Sequence, residues 1–150
     1  MSENFLRLIP TNPGYVPPLA RRQQARDVFI SFLPYAADIV VSVTPQVEWI
    51  DQGANFERVL CPTCQKDLDL EWWRQTMDRC YQATHFADLM IEVPCCCTVH
   101  SLNDLQYEWP AGFARFVLEA RDPSIDLDTY QIRQLEQIVR SPLRKIWAYF

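Results

Sequence analysis

Hydrophobic and polar positions near the start of the chain follow two periods, one typical of strands and one typical of helices. Residues 5–9 predict a short strand, which a turn at Asn12-Pro13-Gly14 ends. Apolar side chains then recur at helical spacing between Pro18 and Pro34. Proline suits the first turn of a helix and stops a helix further on, so this interval predicts one helix.

Strand-like alternation follows this helix. Apolar residues recur at every second position at Ile39, Val41 and Val43, and Val47 and Trp49 continue this spacing after Pro45. A turn at residues 51–55 leads into residues 56–60, the next apolar run. This order predicts a hairpin whose second strand carries Cys61 at its end.

The clearest helical pattern covers residues 70–84. Asp69 is a good N-cap, and apolar residues recur at three- and four-residue steps, which places Cys80 on the buried stripe. Residues 87–93 alternate as a strand would and run into Pro94.

Three more elements are predicted towards the end of the chain. Residues 114–121 alternate as a half-buried strand, and a helix begins at Asp126 or Asp128. Ser141-Pro142 resembles a second helix start and predicts a short terminal helix on the core. Residues 1–150 are therefore predicted to form a single α+β domain, with an antiparallel sheet packed by helices.

Composition and charge narrow the classes of function. The chain has a net charge of −5, and its densest basic group (Arg21, Arg22 and Arg26) is interpreted as the solvated side of a helix. A phosphate backbone would repel such a protein, so no nucleic-acid partner is expected. The sequence contains no secretory signal pattern and no long apolar run, which predicts a cytoplasmic protein without membrane attachment.

Two cysteine clusters are the most informative chemical feature. Cys61 and Cys64 are separated by two residues, and Cys95-Cys96-Cys97 lies further along the chain. In a reducing cytosol, such clusters hold metal more often than they form disulfides. Zn²⁺ prefers four ligands in a tetrahedron with thiolate donors, so Cys61 and Cys64 are predicted to bind a structural zinc ion. The zinc-ribbon-like element is expected at about residues 56–100.

The other two ligands are ambiguous from the residues alone. Cys95 with Cys96, Cys95 with Cys97, and Cys97 with His100 are all possible pairs. Neighbouring cysteines in an extended strand point to opposite faces, so the first pair needs a local bend, which Pro94 could help to provide. Cys97 and His100 are separated by two residues, a spacing that lets both reach one ion more easily than two adjacent cysteines can.

Several motifs together resemble a group of uncharacterised bacterial proteins over about residues 47–150. The motifs are Cys-Pro-x-Cys, a tryptophan-rich helix, Pro94-Cys95-Cys96, and residues 101–105 and 109–116. In that group the second motif reads Pro-Cys-Cys-Gly, and a Leu-Arg-x-Ile-Trp segment comes near the end. The resemblance implies Cys61, Cys64, Cys95 and Cys96 as the metal ligands. This chain departs from the group at Cys97, where the group has glycine.

A zinc ion with four thiolate ligands leaves no position for a reacting water, which argues against a catalytic metal. The favoured hypothesis is a non-catalytic, zinc-stabilised binding or adaptor protein of the bacterial cytosol. One form of this role is an immunity- or inhibitor-type protein that acts on another protein. The alternative is a thiol or metal-dependent enzyme that uses Cys97 and His100.

Overall fold

A computed structural model describes residues 2–150, and its centre is a four-stranded antiparallel sheet. The strands are β1 Asn4–Pro10, β2 Asp38–Ile50, β3 Val59–Leu60, β4 Met90–Glu92, β5 Val99–Ser101, β6 Gln106–Tyr107, β7 Gly112–Arg121 and β8 Leu143–Tyr149. The helices are α1 Leu19–Phe32, α2 Leu70–Thr84 and α3 Thr129–Val139, with a short 3-10 turn at Leu102–Asp104. The large sheet has the order β2-β7-β1-β8, and the pairs β3-β6 and β4-β5 form two small sheets. The predicted α+β class with an antiparallel sheet is confirmed.

The chain divides into two regions around separate cores. The sheet region consists of β1, β2, β7 and β8 with α1 and α3, which cover one face of the sheet. Phe29 of α1, Leu135 of α3 and Phe116 of β7 are fully buried at this interface. The cysteine region comprises residues 51–111 and contains α2, the two small sheets and both cysteine clusters.

Aromatic side chains join the two regions. Trp49 at the end of β2 lies 5.5 Å from Trp73 of α2 and 5.0 Å from Phe113 of β7, measured between ring centroids. Phe113 also meets Phe86 at 5.0 Å. Stacked and edge-on aromatic pairs add to the free energy of burial, so this cluster anchors the cysteine region on the sheet.

Buried hydrogen bonds of Asn103 and Arg144 also join the sheet region to the cysteine region. Asn103 is 2% exposed, and its side chain accepts from the N–H of Phe113 and donates to the carbonyl of Thr11. Arg144 of β8 donates to the carbonyl oxygens of Asn103 and Ala111. A Cβ on Gly112 would lie 2.6 Å from the guanidinium of Arg144. The segments around Asn103, Gly112 and Arg144 therefore join the two regions.

Capping explains where the helices begin and end. The Asp69 side chain accepts from the N–H of Glu71 at the start of α2, and His85 ends that helix in a left-handed conformation. Asp128 forms a capping box with Gln131 at the start of α3. Both caps agree with the sequence prediction. Among residues 2–150, no helix combines the length and the apolar character needed to cross a bilayer.

The predicted hairpin ending at Cys61 is wrong. β2 is a single long strand, with a bulge between Val43 and Glu48, and it pairs with β7. β3 pairs with β6 instead, which lies more than forty residues further along the chain. Local turn residues at 51–55 resemble a hairpin loop, but the buried partner of β2 is a distant strand.

The predicted terminal helix is also wrong, because residues 143–149 form strand β8 along the edge of β1. Arg140 adopts a left-handed conformation that ends α3 and turns the chain back. Ile146 is buried on the face of the sheet opposite the helices, beside Ile9. The unpaired edge of β1 gains a full ladder of hydrogen bonds in this way, which a helix could not supply.

Two strand predictions need smaller corrections. The strand predicted at 87–93 is shorter and spans Met90–Glu92 as β4. Residues 112–121 form β7, which begins two residues before the predicted 114–121, and Arg115, Glu119 and Arg121 on one face are partly exposed as predicted for a half-buried strand.

Candidate metal centre

Two tight turns carry the four clustered cysteines. The first cysteine turn covers residues 61–66, directly after β3, and the second covers residues 93–98, between β4 and β5. In each turn, the N–H of the first residue donates to the carbonyl of the sixth over 3.0 Å. The N–H of the fifth residue donates back to the carbonyl of the first, over 2.9 Å and 3.0 Å respectively. The two turns therefore share the same backbone hydrogen bonds.

The proline and the left-handed residue occupy the same positions in both turns, whereas the cysteines are first and fourth in one turn and third and fourth in the other. Pro62 and Pro94 are the second residues of the two turns, and Gln65 and Cys97 are the fifth. Both fifth residues are left-handed, with φ of 64° and 58°. A proline followed by a left-handed residue supplies the bend that neighbouring cysteines require, so Cys95 and Cys96 do not lie in an extended strand.

The structure brings Cys61, Cys64, Cys95 and Cys96 together. Their sulfur atoms all lie within 4.8 Å of one another. Cys61 Sγ is 3.7 Å from Cys96 Sγ, Cys64 Sγ is 3.3 Å from Cys95 Sγ, and the two neighbouring sulfurs are 3.9 Å apart. All six cysteines are free thiols, and these separations are far longer than an S–S bond of about 2 Å.

These separations fit the coordination geometry of zinc. Four sulfurs at about 2.3 Å from one ion form a tetrahedron whose edges measure about 3.8 Å. The three separations given above scatter around that edge length. The four cysteines could therefore hold one metal ion with little movement of either turn.

Burial and hydrogen bonds divide the four thiols electrostatically. Cys61 is fully buried, which by itself would raise the pKa of its thiol. The backbone N–H groups of Cys64 and Thr63, with the neighbouring thiols, donate to its sulfur and lower this pKa to about 6. Burial and the nearby sulfurs raise the pKa of Cys95 to about 12. The Cys61 thiolate therefore forms readily, and a bound cation would be needed to ionise Cys95 beside it.

Two threonine hydroxyls, which sequence reasoning did not identify, lie beside the sulfur cluster. The Thr98 hydroxyl is 3.1 Å from Cys96 Sγ, and His100 Nε2 lies 2.8 Å from Thr63 Oγ1 and 3.1 Å from Thr98 Oγ1. Such hydroxyls can donate to a metal-bound sulfur and spread its charge. In the sequence, the only indication of this contact was that Thr98 follows the candidate ligand Cys96 by two residues.

The other candidate residues lie outside the cluster. Cys97 is exposed on the far side of the second turn, and within residues 2–150 no hydrogen bond joins it to His100. Cys80 packs beside the core on α2, where burial raises the pKa of its thiol. His85 contacts Glu48 at 2.9 Å and stacks on Tyr81.

No protein-family profile, curated protein or solved structure matches this chain.

Proposed function

We propose that this chain is a non-catalytic protein-binding or adaptor domain whose cysteine region is stabilised by one zinc ion. The observation that carries the proposal is the group of four sulfurs at tetrahedral spacing on two matching turns. Zn²⁺ is the proposed ion because an all-thiolate, four-coordinate site is typical of structural zinc. The compartment is proposed to be the bacterial cytosol, where the thiols stay reduced.

The chemistry of the ligands supports a structural role rather than catalysis. With four sulfurs bound, the ion has no free position at which to activate water or polarise a substrate. When bound, the ion would supply a crosslink between two turns that are about thirty residues apart in the chain. Cys61, Cys64, Cys95 and Cys96 hold it, and the hydroxyl of Thr98 stabilises the charge on the sulfur of Cys96.

The left-handed position in the second turn supports the resemblance to the bacterial group. Glycine adopts positive φ without a steric cost, and the group has glycine where this chain has Cys97. We therefore propose that the chain belongs with these proteins and that Cys97 replaces a turn glycine. Under this proposal Cys97 is not a ligand.

Elemental analysis of protein purified without chelator tests the metal part of the proposal, with an expected stoichiometry near one zinc per chain. The matched pair of variants is Cys64→Ser, expected to lower the zinc content, and Cys80→Ser, expected to leave it unchanged. Full zinc content in Cys64→Ser would contradict the proposed ligand set.

Capture of a partner from a bacterial lysate tests the binding part. Cys97→Ala and His100→Ala should retain both zinc and the captured partner, because neither residue is assigned a chemical role. The enzyme alternative gains support if either change abolishes a measured turnover while zinc stays at one per chain.

A further inference from the structure

We infer that the free edge of β2, together with the basic side of α1, binds an extended peptide that alternates acidic and apolar residues. This inference rests on the proposed function as a protein-binding domain and identifies the surface and the chemistry of the partner. Three independent observations support it: an unpaired strand edge, a groove beside that edge and basic side chains in the groove.

Of the two outer edges of the large sheet, the edge of β8 is covered and the edge of β2 is open. The edge of β8 is covered by the segment that follows β2, since the N–H of Ala54 donates to the carbonyl of Tyr149 over 2.8 Å. The Asn55 side chain also donates to the carbonyl of Trp147. In the described part of the chain, β2 pairs only with β7, so its outer edge stays open.

The open edge lacks most of the usual protection against pairing. Between Asp38 and Val43 the pairing with β7 is regular, and the bulge comes only after Val43. This stretch contains neither proline nor lysine, the residues that natural proteins use to block edge strands. Six residues are enough to receive one short added strand through backbone hydrogen bonds.

A groove of about 230 Å³ lies beside this edge, between α1 and β2. Its apolar lining comes from Leu19, Val41 and Val43, and Leu19 is 60% exposed. An added strand would place alternate side chains in this groove, because side chains on a strand alternate between faces.

The charged lining of the groove is entirely basic. Arg22 and Arg26 line it, and no acidic residue does. The Nε atom of Arg22 is buried and has no hydrogen-bond partner among residues 2–150. Arg26 has only a distant, exposed contact with Asp27 at 3.9 Å, which contributes little. A carboxylate on a bound peptide would pair with the guanidinium groups of Arg22 and Arg26, which line the groove.

Neighbouring Arg21 shows that these arginines differ in role. Arg21 donates to the carbonyl of Ile138 and so connects α1 to α3. Within residues 2–150, Arg22 and Arg26 make no such bond to a backbone carbonyl, although the chain as a whole carries a charge of −5. Two arginines that line the groove beside an open strand edge favour an acidic extended ligand over a basic one.

Fluorescence anisotropy with a labelled octapeptide that alternates glutamate and valine tests the inference. Saturable binding is expected, and Arg26→Glu should weaken it at least tenfold. The double change of Arg22→Glu with Arg26→Glu should weaken it further. Arg74→Glu on α2 reverses an exposed arginine elsewhere and should leave binding unchanged.

Two altered peptides separate strand addition from simple charge attraction. An octapeptide of alternating lysine and valine should not bind, and an acidic octapeptide with methylated backbone nitrogens should bind at least tenfold more weakly. Equal binding of the methylated peptide, or tighter binding of a thymidine oligonucleotide, would overturn the inference. So would a protein dimer in sedimentation that Arg26→Glu disrupts, because a second copy would then occupy the edge.

Zinc content and circular dichroism measured on the same samples keep the two proposals separate. A folded, zinc-loaded protein that fails to bind the acidic peptide contradicts the peptide site alone. A protein without zinc contradicts the proposed metal centre, whatever the peptide does.

Discussion

The sheet region and the cysteine region build their stability in different ways. The sheet region has four strands of seven to thirteen residues, and its helix-facing core contains eleven buried residues from several elements. The strands of the cysteine region are only two or three residues long, too short to be stable as isolated pairs. The sheet region therefore depends on strand pairing and apolar burial. The cysteine region packs its short strands around a buried core of its own and, under the proposed function, gains a metal crosslink between its two turns.

Replacing a ligand should separate the two regions most clearly. Cys61→Ser should abolish zinc binding and cost several kcal/mol within the cysteine region, since structural zinc contributes directly to folding. In hydrogen exchange, amides of β4 and β5 should lose protection while those of β1 and β7 keep it. Cys80→Ser is the matched control and should retain zinc and protection. Uniform loss across both regions would show that they form one cooperative unit.

Truncating a core side chain of the sheet region tests the reverse case, in which the sheet region loses stability and the metal site is left intact. Phe116 is fully buried, so Phe116→Ala should lower the free energy of unfolding by about 3–5 kcal/mol. Zinc content should stay at the wild-type level in samples that remain folded. Val40→Ala, at a partly exposed position of the same sheet, should change stability by only about 0.5 kcal/mol or less. Chemical denaturation measures both effects.

Removing one hydroxyl beside the cluster should weaken the metal without unfolding the turn. Thr98→Val keeps the shape of the side chain but cannot donate to Cys96 Sγ, so zinc affinity should fall roughly 10–100-fold. Thr98→Ser retains the hydroxyl and should bind nearly as tightly as the wild type. Competition with a chromophoric chelator gives the affinities, and equal affinity for both variants would exclude this role.

The pH dependence of metal uptake reports whether the first turn persists without metal. The pKa of Cys61 in the folded turn is about 6, so the zinc association rate of stripped protein should fall about tenfold per pH unit below pH 6. A lowered folded pKa also means that this thiol stabilises the metal-free fold fully above pH 9, with the contribution lost as pH falls to about 6. Stopped-flow mixing with Co²⁺ measures the rate. A midpoint near the ordinary thiol value of 9.0 would show that the turn does not persist.

The smallest expected effect concerns the left-handed residue of the second turn. Cys97→Gly should raise the free energy of unfolding by about 0.4–1 kcal/mol, because glycine tolerates a φ of 58° without strain. Cys97→Ala is the control, since it removes the thiol but keeps a Cβ. A stabilisation equal in both variants would assign the effect to the thiol instead of the backbone. Urea denaturation with zinc content monitored is the measurement.

Sequence reasoning succeeded where local signals determine structure. The caps Asp69 and Asp128, the alternation in β7 and the helical spacing in α2 all predict the observed elements. Pro62 lies between the first two cysteines and Pro94 precedes the second pair, and each proline marks a bend of the kind that brings Cys95 and Cys96 to one side. These features depend on neighbours a few residues away, which the sequence displays directly.

The errors arose where distant partners decide the outcome. The turn at 51–55 does not close a hairpin, because β2 pairs with the distant strand β7. Ser141-Pro142 does not begin a helix, because the residues that follow pair with β1 as strand β8. Thr98 was missed for the same reason, since its contact with Thr63 depends on two turns meeting. Short apolar runs fit either a helix or a strand, and only tertiary pairing resolves them.

The position of β1 inside the large sheet bears on synthesis of the chain. In the described part of the chain, β1 pairs only with β7 and β8, whose paired residues lie at 118–121 and 143–149. β1 can therefore complete its pairing only after residues 118–149 have been synthesised, whereas residues 61–66 and 93–98 of the two cysteine turns are made earlier. If the cysteine cluster binds zinc as proposed, we expect the nascent chain to be able to acquire its metal before the large sheet is complete.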